Sequence, residues 1–155
     1  MGLLKSYAGY GYGDGGRLTH NAPFIIVHNI EHVRRALRVA ASLKCPTFLL
    51  STPDAAGTIG PAVFRDMIDI SIKETNLDPD QVFAFIDCGS NTGHALKAVQ
   101  ERCRHIRINA SSEILVKLRE MLGPDSRVID AAPISTLNLE DTSISDEAIR
   151  NWLNT

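Results

Sequence analysis

The sequence is built on a repeated order, in which an apolar strand-like run is followed by polar residues and then by an amphipathic helix pattern. The clearest copy is Val82–Ala95, where β-branched and aromatic residues lead into Asp87 and Gly89. Such a run predicts a buried strand, and α/β proteins place ligands at the carboxyl ends of their strands. Gly89 allows the backbone to turn, and Ser90 or Asn91 is suited to cap the helix that follows.

The same order occurs five times, which predicts an α/β fold with a five-stranded parallel sheet and right-handed crossovers. We predict strands that begin near Phe24, Thr47, Val82, His105 and Arg127. A complete barrel of eight such units needs at least about 200 residues, whereas this chain has 155. A half-barrel and a flavodoxin-like open sheet therefore remain as alternatives.

Glycine content divides the chain into two parts. Five of the eleven glycines fall within Tyr7–Gly16, so we expect residues 1–22 to form a flexible Gly/Tyr-rich arm. Residues 23–155 are expected to form a single α/β domain, because this length buries a sizeable core without disulfide or metal cross-links.

Charge and cysteine content narrow the expected partners. A net charge of -2 gives no basic footprint for nucleic acid, and no apolar run approaches the roughly 20 residues that span a bilayer. The three cysteines are odd in number and widely spaced, which favours reduced thiols and a cytoplasmic setting. The start of the chain carries no apolar signal segment.

Four consecutive segments resemble the first half of class II, metal-dependent fructose-bisphosphate aldolases. They are PFIIVHNIEHVRRALRVAASLKCPTFLLSTP, GPAVFRDMI, VFAFIDCGSNTGHALKAV and HIRINASSEIL, and together they cover about Pro23 to Ser112. The resemblance implies a half-barrel of βα units with its site at the carboxyl edge.

Compared position by position, the sequence matches the family's pattern at Asp87 and departs from it at Cys88, Asn109 and Ala110. Asp87 stands where the family has its catalytic aspartate, and Cys88 stands where it has a metal-binding histidine. Asn109 and Ala110 replace an acidic residue and a glycine, and the later strands that bring the remaining ligands have no counterpart. We therefore expect an aldolase-like protein without the parent activity, without a metal and without another cofactor.

The predicted strand ends form a polar rim, from which we select candidate site residues. Asp87, Cys88 and His28 are the candidate catalytic residues: Asp87 as an acid/base group, and Cys88 as a thiol whose pKa is lowered by the nearby helix start and by His94. If their strands are neighbours, His28 and Asp87 form either a base and its partner or two ligands of a metal. The candidate ligand-binding residues are Asn29, Ser51, Thr52, Gly57, Gly60, Gly89, Ser90, Asn91, Asn109 and Ser111.

Each of these residues also has a purely structural interpretation, because loops are solvated and helices need caps. The segment Gly57–Pro61 is a candidate anion site, since the free amides before a helix can bind a phosphate or a carboxylate. It lacks the lysine and the spacing of a P-loop.

Two functions follow from this pattern. One is a site for a small phosphate- or carboxylate-bearing molecule at the carboxyl edge, which predicts a ligand-sized pocket. The other is a non-catalytic assembly module whose exposed sheet edge is covered by another copy of the chain, most simply in a homodimer.

Overall fold

The computed structural model describes residues 22–130 and 132–155, which form an α/β fold around one parallel sheet. Residues 1–21 of the predicted arm lie outside the described residues, and Ala22 is buried. The strands are β1 Phe24–Ile26, β2 Thr47–Leu50, β3 Val82–Asp87, β4 His105–Arg107, β5 Arg127–Ile129 and β6 Thr136–Asn138. The helices are α1 Ile30–Leu43, α2 Ala55–Thr58, α3 Pro61–Thr75, α4 Thr92–Gln100, α5 Ser112–Leu122 and α6 Asp146–Leu153.

The strand order is β5-β4-β3-β2-β1-β6, with every neighbouring pair parallel. The expected five strands are therefore six, because β6 returns to pair with β1. Among the described strands, β5 and β6 are the two edges, so the sheet is open. The order also differs from the flavodoxin-like order 2-1-3-4-5.

The helices cover one face of the sheet. From β1 to β5 each strand is added on the same side of the one before it, and right-handed crossovers then place all the connecting helices on one face. The helix-side core agrees with this, because it combines Ile25, Leu49 and Ile86 with buried residues of the helices, such as Leu37 and Leu118. We call this the helix face.

The opposite face carries the large aromatic side chains, and we call it the aromatic face. Its buried cluster includes Phe24, Phe48, Phe83 and Phe85. The Phe24 and Phe85 ring centroids lie 5.5 Å apart, although β2 separates their strands and a flat sheet would hold those strands roughly 9.6 Å apart. The two rings therefore lean towards each other across β2 and pack with Phe48 into one continuous cluster on this face.

Local sequence signals account for the helix boundaries. The side chains of Asn29, Asn91, Ser111 and Ser145 each accept a hydrogen bond from a backbone N–H in the first turn of α1, α4, α5 and α6. Pro61 opens α3, where its missing N–H costs nothing. Of the two caps predicted for α4, Ser90 and Asn91, it is Asn91 that caps the helix.

The last helix, α6, docks onto the helix face through its apolar side. Ile149 is fully buried, and Trp152 and Leu153 pack against the same core. The Trp152 indole N–H also donates to the Phe24 carbonyl oxygen at 3.1 Å. None of the helices in residues 22–130 and 132–155 has the length and apolar character needed to cross a membrane.

Candidate functional site

A buried ion pair joins the ends of β3 and β4 at the carboxyl edge of the sheet. Asp87 and Arg107 are register partners, and strand alternation places both on the aromatic face, beyond the Phe85 and His105 rings. The Arg107 Nη1 donates to Asp87 Oδ2 at 2.6 Å, and the two side chains are 20% and 6% exposed. A charge pair this deep is stable only when its remaining polar atoms are satisfied.

The Asp87 carboxylate organises the loops around it. Its Oδ1 accepts the Gly89 N–H at 2.7 Å and the Asp54 N–H at 3.1 Å, and its own backbone N–H donates to Ser51 Oγ at 2.9 Å. Asp87 therefore joins the ends of three strands, and every oxygen of its side chain has a partner.

A second pair, formed by Asp54 and His94, adjoins this network. The His94 Nδ1 lies 3.0 Å from Asp54 Oδ1, and the side chains are 34% and 44% exposed. His94 stands in the first turn of α4, where its N–H donates to the Asn91 cap. Asp54 adopts a left-handed backbone conformation with φ 49°, which is uncommon outside glycine and asparagine.

Gly57 is required by this arrangement. A Cβ at this position would lie 2.5 Å from His94 Cε1 and 2.7 Å from Asp54 Oδ2. The imidazole and the carboxylate thus pack directly against a glycine backbone, which holds them at close range.

The structure does not bring His28 to Asp87, because β2 lies between their strands. His28 instead faces Asn138 of β6, with Nε2 2.7 Å from Asn138 Oδ1. The same oxygen accepts the Glu140 N–H, so His28 Nε2 is the donor in this contact. The His28 N–H donates to His32 Nδ1.

Cys88 lies in the helix-face core with no exposed surface. Burial, followed by the negative charge of Asp87, raises the pKa of the Cys88 thiol to about 12. This is the opposite of the predicted lowering, because alternation turns the Cys88 side chain away from the edge. The thiol is protonated at neutral pH and is a poor nucleophile.

The prediction of free amides for an anion at Gly57–Pro61 is wrong. The segment begins as the single helical turn α2, where the Gly57 and Thr58 N–H groups donate to the Asp54 carbonyl and the Ile59 and Gly60 N–H groups donate to Ala55. Pro61 has no N–H. No amide in this segment is left for a phosphate.

Most of the other predicted ligand-binding residues have structural partners. Asn29, Asn91 and Ser111 are occupied as caps. Ser51 accepts from Asp87 N and donates to the Thr52 carbonyl, and the Gly89 N–H is taken by Asp87. Thr52, Ser90 and Asn109 stay predictions, and Ser90 and Asn109 are exposed at this edge.

The residues at the family's metal position do not fit a metal site. The Cys88 sulfur faces the Ile86 carbonyl oxygen in the core, and both Asp87 oxygens are engaged by hydrogen-bond donors. In the part of the chain that the structure describes, no three His, Cys, Asp or Glu side chains converge as metal ligands.

A small cavity of about 70 Å³ lies at the opposite edge, near the starts of β3 and β4. Apolar residues of α3, with Val82 and Ala84, form much of its lining, and Arg65, Arg102 and Arg104 also contribute. It is distant in the fold from the polar carboxyl edge.

Sequence reasoning missed the roles of Arg107, Asp54 and His94. Arg107 was on the polar side of the predicted strand HIRIN, but only the β3–β4 register shows that it meets Asp87. Asp54 and His94 are 40 residues apart, and a signal was present in Gly57, whose lack of a side chain permits their contact. A scan against models of protein families finds no match to this sequence, and a search of curated proteins finds none either.

Proposed function

We propose that this chain is an aldolase-like half-barrel protein that binds a small phosphate- or carboxylate-bearing molecule at the carboxyl edge of its sheet. The observation that carries the proposal is the state of the Arg107 guanidinium. Its Nη1 is bonded to Asp87, whereas its Nε is buried and has no hydrogen-bond partner among the described residues.

A guanidinium presents Nε and Nη2 along one edge, as a two-donor fork that matches the oxygens of a carboxylate or phosphate. With Nη1 turned to Asp87, a ligand would use this edge, and it would have to displace the atoms that bury Nε. The Asp87 charge is shared with the N–H groups of Asp54 and Gly89, so it does not act on Arg107 alone. A buried donor without a partner is costly, and an oxyanion would remove that cost.

Binding is tested with inorganic phosphate and with pyruvate, observed through the NMR shifts of the Asp54 and Gly89 amides. Arg107→Lys keeps the positive charge beside Asp87 and removes the fork, so we expect affinity to fall at least about ten-fold, or 1.4 kcal/mol. Arg104→Lys is the matched control. Arg104 lies just before β4, and its partner is the exposed Asp80. Equal shifts in both variants, or no saturable shift in the native protein, would overturn the proposal.

The proposal includes the loss of the parent chemistry. Cys88 is buried at the position where the resemblance places a metal ligand, and among the described residues no three metal-ligating side chains converge. We therefore expect no aldol cleavage of fructose bisphosphate and no stoichiometric zinc, measured by an aldol-cleavage assay and by elemental analysis of protein purified without chelator. One zinc per chain that is lost in His28→Ala would contradict this expectation. A cytoplasmic location belongs to the same proposal, since all three cysteines are free thiols.

The second candidate, a homo-oligomeric assembly module, is favoured by one observation. Large apolar side chains are exposed on the outer surfaces of three consecutive helices, with Val63 52%, Ile70 44%, Leu96 39%, Val116 49% and Met121 54% exposed. Apolar surface of this kind marks contacts between proteins when it is contiguous.

A further inference from the structure

The pairing of His94 with Asp54 has the construction of an acid–base dyad. We propose that His94 is the proton-transfer residue of the carboxyl edge and acts through Nε2 on a bound small molecule. This inference rests on the proposed function for the position of the ligand, but not for the chemistry of the dyad itself.

The contact with Asp54 fixes the tautomer of His94. An ionised carboxylate only accepts hydrogen bonds, so the His94 Nδ1 that lies 3.0 Å from Asp54 Oδ1 carries the proton. In the neutral imidazole the other nitrogen, Nε2, then has a free lone pair. The side chain is 34% exposed, and no hydrogen bond engages Nε2 within residues 22–130 and 132–155.

The dyad is held in place from several sides. The Asp54 N–H is bound by Asp87, and the Asp54 carbonyl accepts the N–H groups of Gly57 and Thr58. These contacts fix the Asp54 backbone in its left-handed conformation, which aspartate adopts more readily than most residues. The His94 backbone is fixed by the Asn91 cap.

The dyad also packs against Gly57. Any side chain at this position would collide with both members of the dyad, since its Cβ would stand 2.5 Å from His94 Cε1 and 2.7 Å from Asp54 Oδ2. A surface histidine that merely faces solvent needs no such clearance. The close contact of the Gly57 backbone with the ring therefore helps to hold the His94 imidazole in its position.

The chemistry that follows is a simple proton transfer. A C–H or O–H bond of the bound molecule breaks, its electron pair stays on that molecule, and the proton passes to His94 Nε2. The imidazolium is stabilised by Asp54, and the proton returns to the molecule or to water. The substrate class is a small molecule with an acidic C–H or O–H bond and a carboxylate or phosphate that reaches Arg107.

The dyad also lies close to the proposed anion fork. Asp54 contacts Asp87 through its backbone N–H, and Asp87 contacts Arg107 through its other oxygen. A ligand anchored on Arg107 is therefore within the same connected network as the base. Asp87, whose oxygens are all engaged, is a positioning residue in this arrangement.

The test begins with the imidazole nitrogens of His94, observed by long-range NMR correlation at a pH where the spectra themselves show the neutral ring. We expect the Nδ1–H tautomer in the native protein. Asp54→Gly tolerates the left-handed backbone and removes the carboxylate, and Gly57→Ala displaces the ring, so both should shift the population to the Nε2–H tautomer. Asp80→Gly is the matched control, because it removes an exposed carboxylate that pairs with Arg104, away from the dyad.

A second readout separates a working base from a structural hydrogen bond. Diethyl pyrocarbonate acylates an unprotonated, accessible imidazole nitrogen. We expect His94 to react at Nε2 about ten-fold faster in the native protein than in Asp54→Gly, and saturating inorganic phosphate should slow the native reaction.

Each outcome has a distinct meaning. An Nε2–H tautomer in the native protein, or an Nε2 that does not react, overturns the inference about His94 even where phosphate binds. If phosphate fails to bind while tautomer and reactivity are as expected, the proposed anion site fails and the dyad is supported.

Discussion

At the scale of single residues, Asp87 shows how a correctly chosen position can have a different role from the one its pattern predicts. The end of a buried strand before a glycine is a typical place for a catalytic carboxylate. Here the carboxylate accepts three hydrogen bonds, from Arg107, Asp54 and Gly89. Protonation would weaken all three, so the available acid–base group of this edge is His94.

Replacement of Asp87 is expected to destabilise the fold. Asp87→Asn removes the negative charge that balances Arg107. Removing one partner of a buried ion pair costs about 3–5 kcal/mol. We expect a loss near 3 kcal/mol in the free energy of unfolding, because Arg107 keeps partial contact with water. Urea denaturation measures it. Asp80→Asn is the control, since its exposed pair with Arg104 should contribute under about 1 kcal/mol, and an equal loss in both variants would contradict the buried role of Asp87.

Cys88 is expected to be inert while the protein is folded. The thiol is fully buried, and its pKa is raised to about 12, so thiolate is scarce at neutral pH. Alkylation with iodoacetamide, mapped by peptide mass spectrometry, should leave Cys88 unmodified in the native protein and modify it in denaturant. If native Cys88 is labelled and phosphate suppresses the labelling, Cys88 belongs to the ligand site after all.

At the scale of elements, the pairing of β4 with β5 depends on a buried histidine. His105 is 2% exposed and packs against the Phe83 and Phe85 rings. Its Nδ1 accepts the Arg127 N–H at the start of β5. Burial, with the charges of Arg104 and Arg127, lowers the pKa of His105 to about 3, so the folded chain holds it neutral.

This histidine should make the fold sensitive to acid. The unfolded chain binds the proton below the ordinary pKa of 6.5, whereas the folded chain binds it only near 3. Stability is therefore fully present above about pH 6.5 and falls as pH is lowered towards 3. Urea unfolding at a series of pH values should show a shallower fall in His105→Asn than in the native chain, by up to about 1.4 kcal/mol per pH unit. Parallel curves would show that another group controls the acid sensitivity.

The elements that sequence reasoning found are those with local causes. The caps at Asn29 and Ser111 and the start of α3 at Pro61 each depend on residues within one turn. The strand β6 was missed because it is only three residues long and largely exposed, so it lacks an apolar run. What forms it is a long-range pairing with β1, for which the sequence carries no local signal.

The candidate site was predictable only in part, for the same reason. Its place at the strand ends and the importance of Asp87 followed from the βα pattern. The partners did not: His28 was expected beside Asp87, but the sheet order puts β2 between them. The contacts that define the site, Asp87 with Arg107 and Asp54 with His94, depend on strand register and on how α2 and α4 meet.

At the scale of the whole molecule, the strands β1 to β5 follow one another in a single direction across the sheet, so the connecting helices cover only one of its faces. The helices pack on the helix face, and the aromatic face carries the buried phenylalanine cluster. An open sheet of this form ends in two short edge strands, and the outer helices retain exposed apolar side chains. These features connect the fold to the second candidate function, association with another copy of the chain.

We predict that the protein is a homo-oligomer, most simply a dimer, in which exposed side chains of α3 take part. Val63 and Ile70 are two turns apart on one side of that helix and are 52% and 44% exposed. Sedimentation equilibrium at micromolar concentration should give a mass above the 16.9 kDa of one chain, and the paired change Val63→Ser, Ile70→Ser should shift it towards the monomer. The control pair Glu147→Ser, Asn151→Ser alters exposed polar residues of α6, which carries none of the large exposed apolar side chains of the described residues, and should leave association unchanged. A native protein that sediments as a monomer would remove the assembly function and leave the carboxyl-edge site as the remaining basis for function.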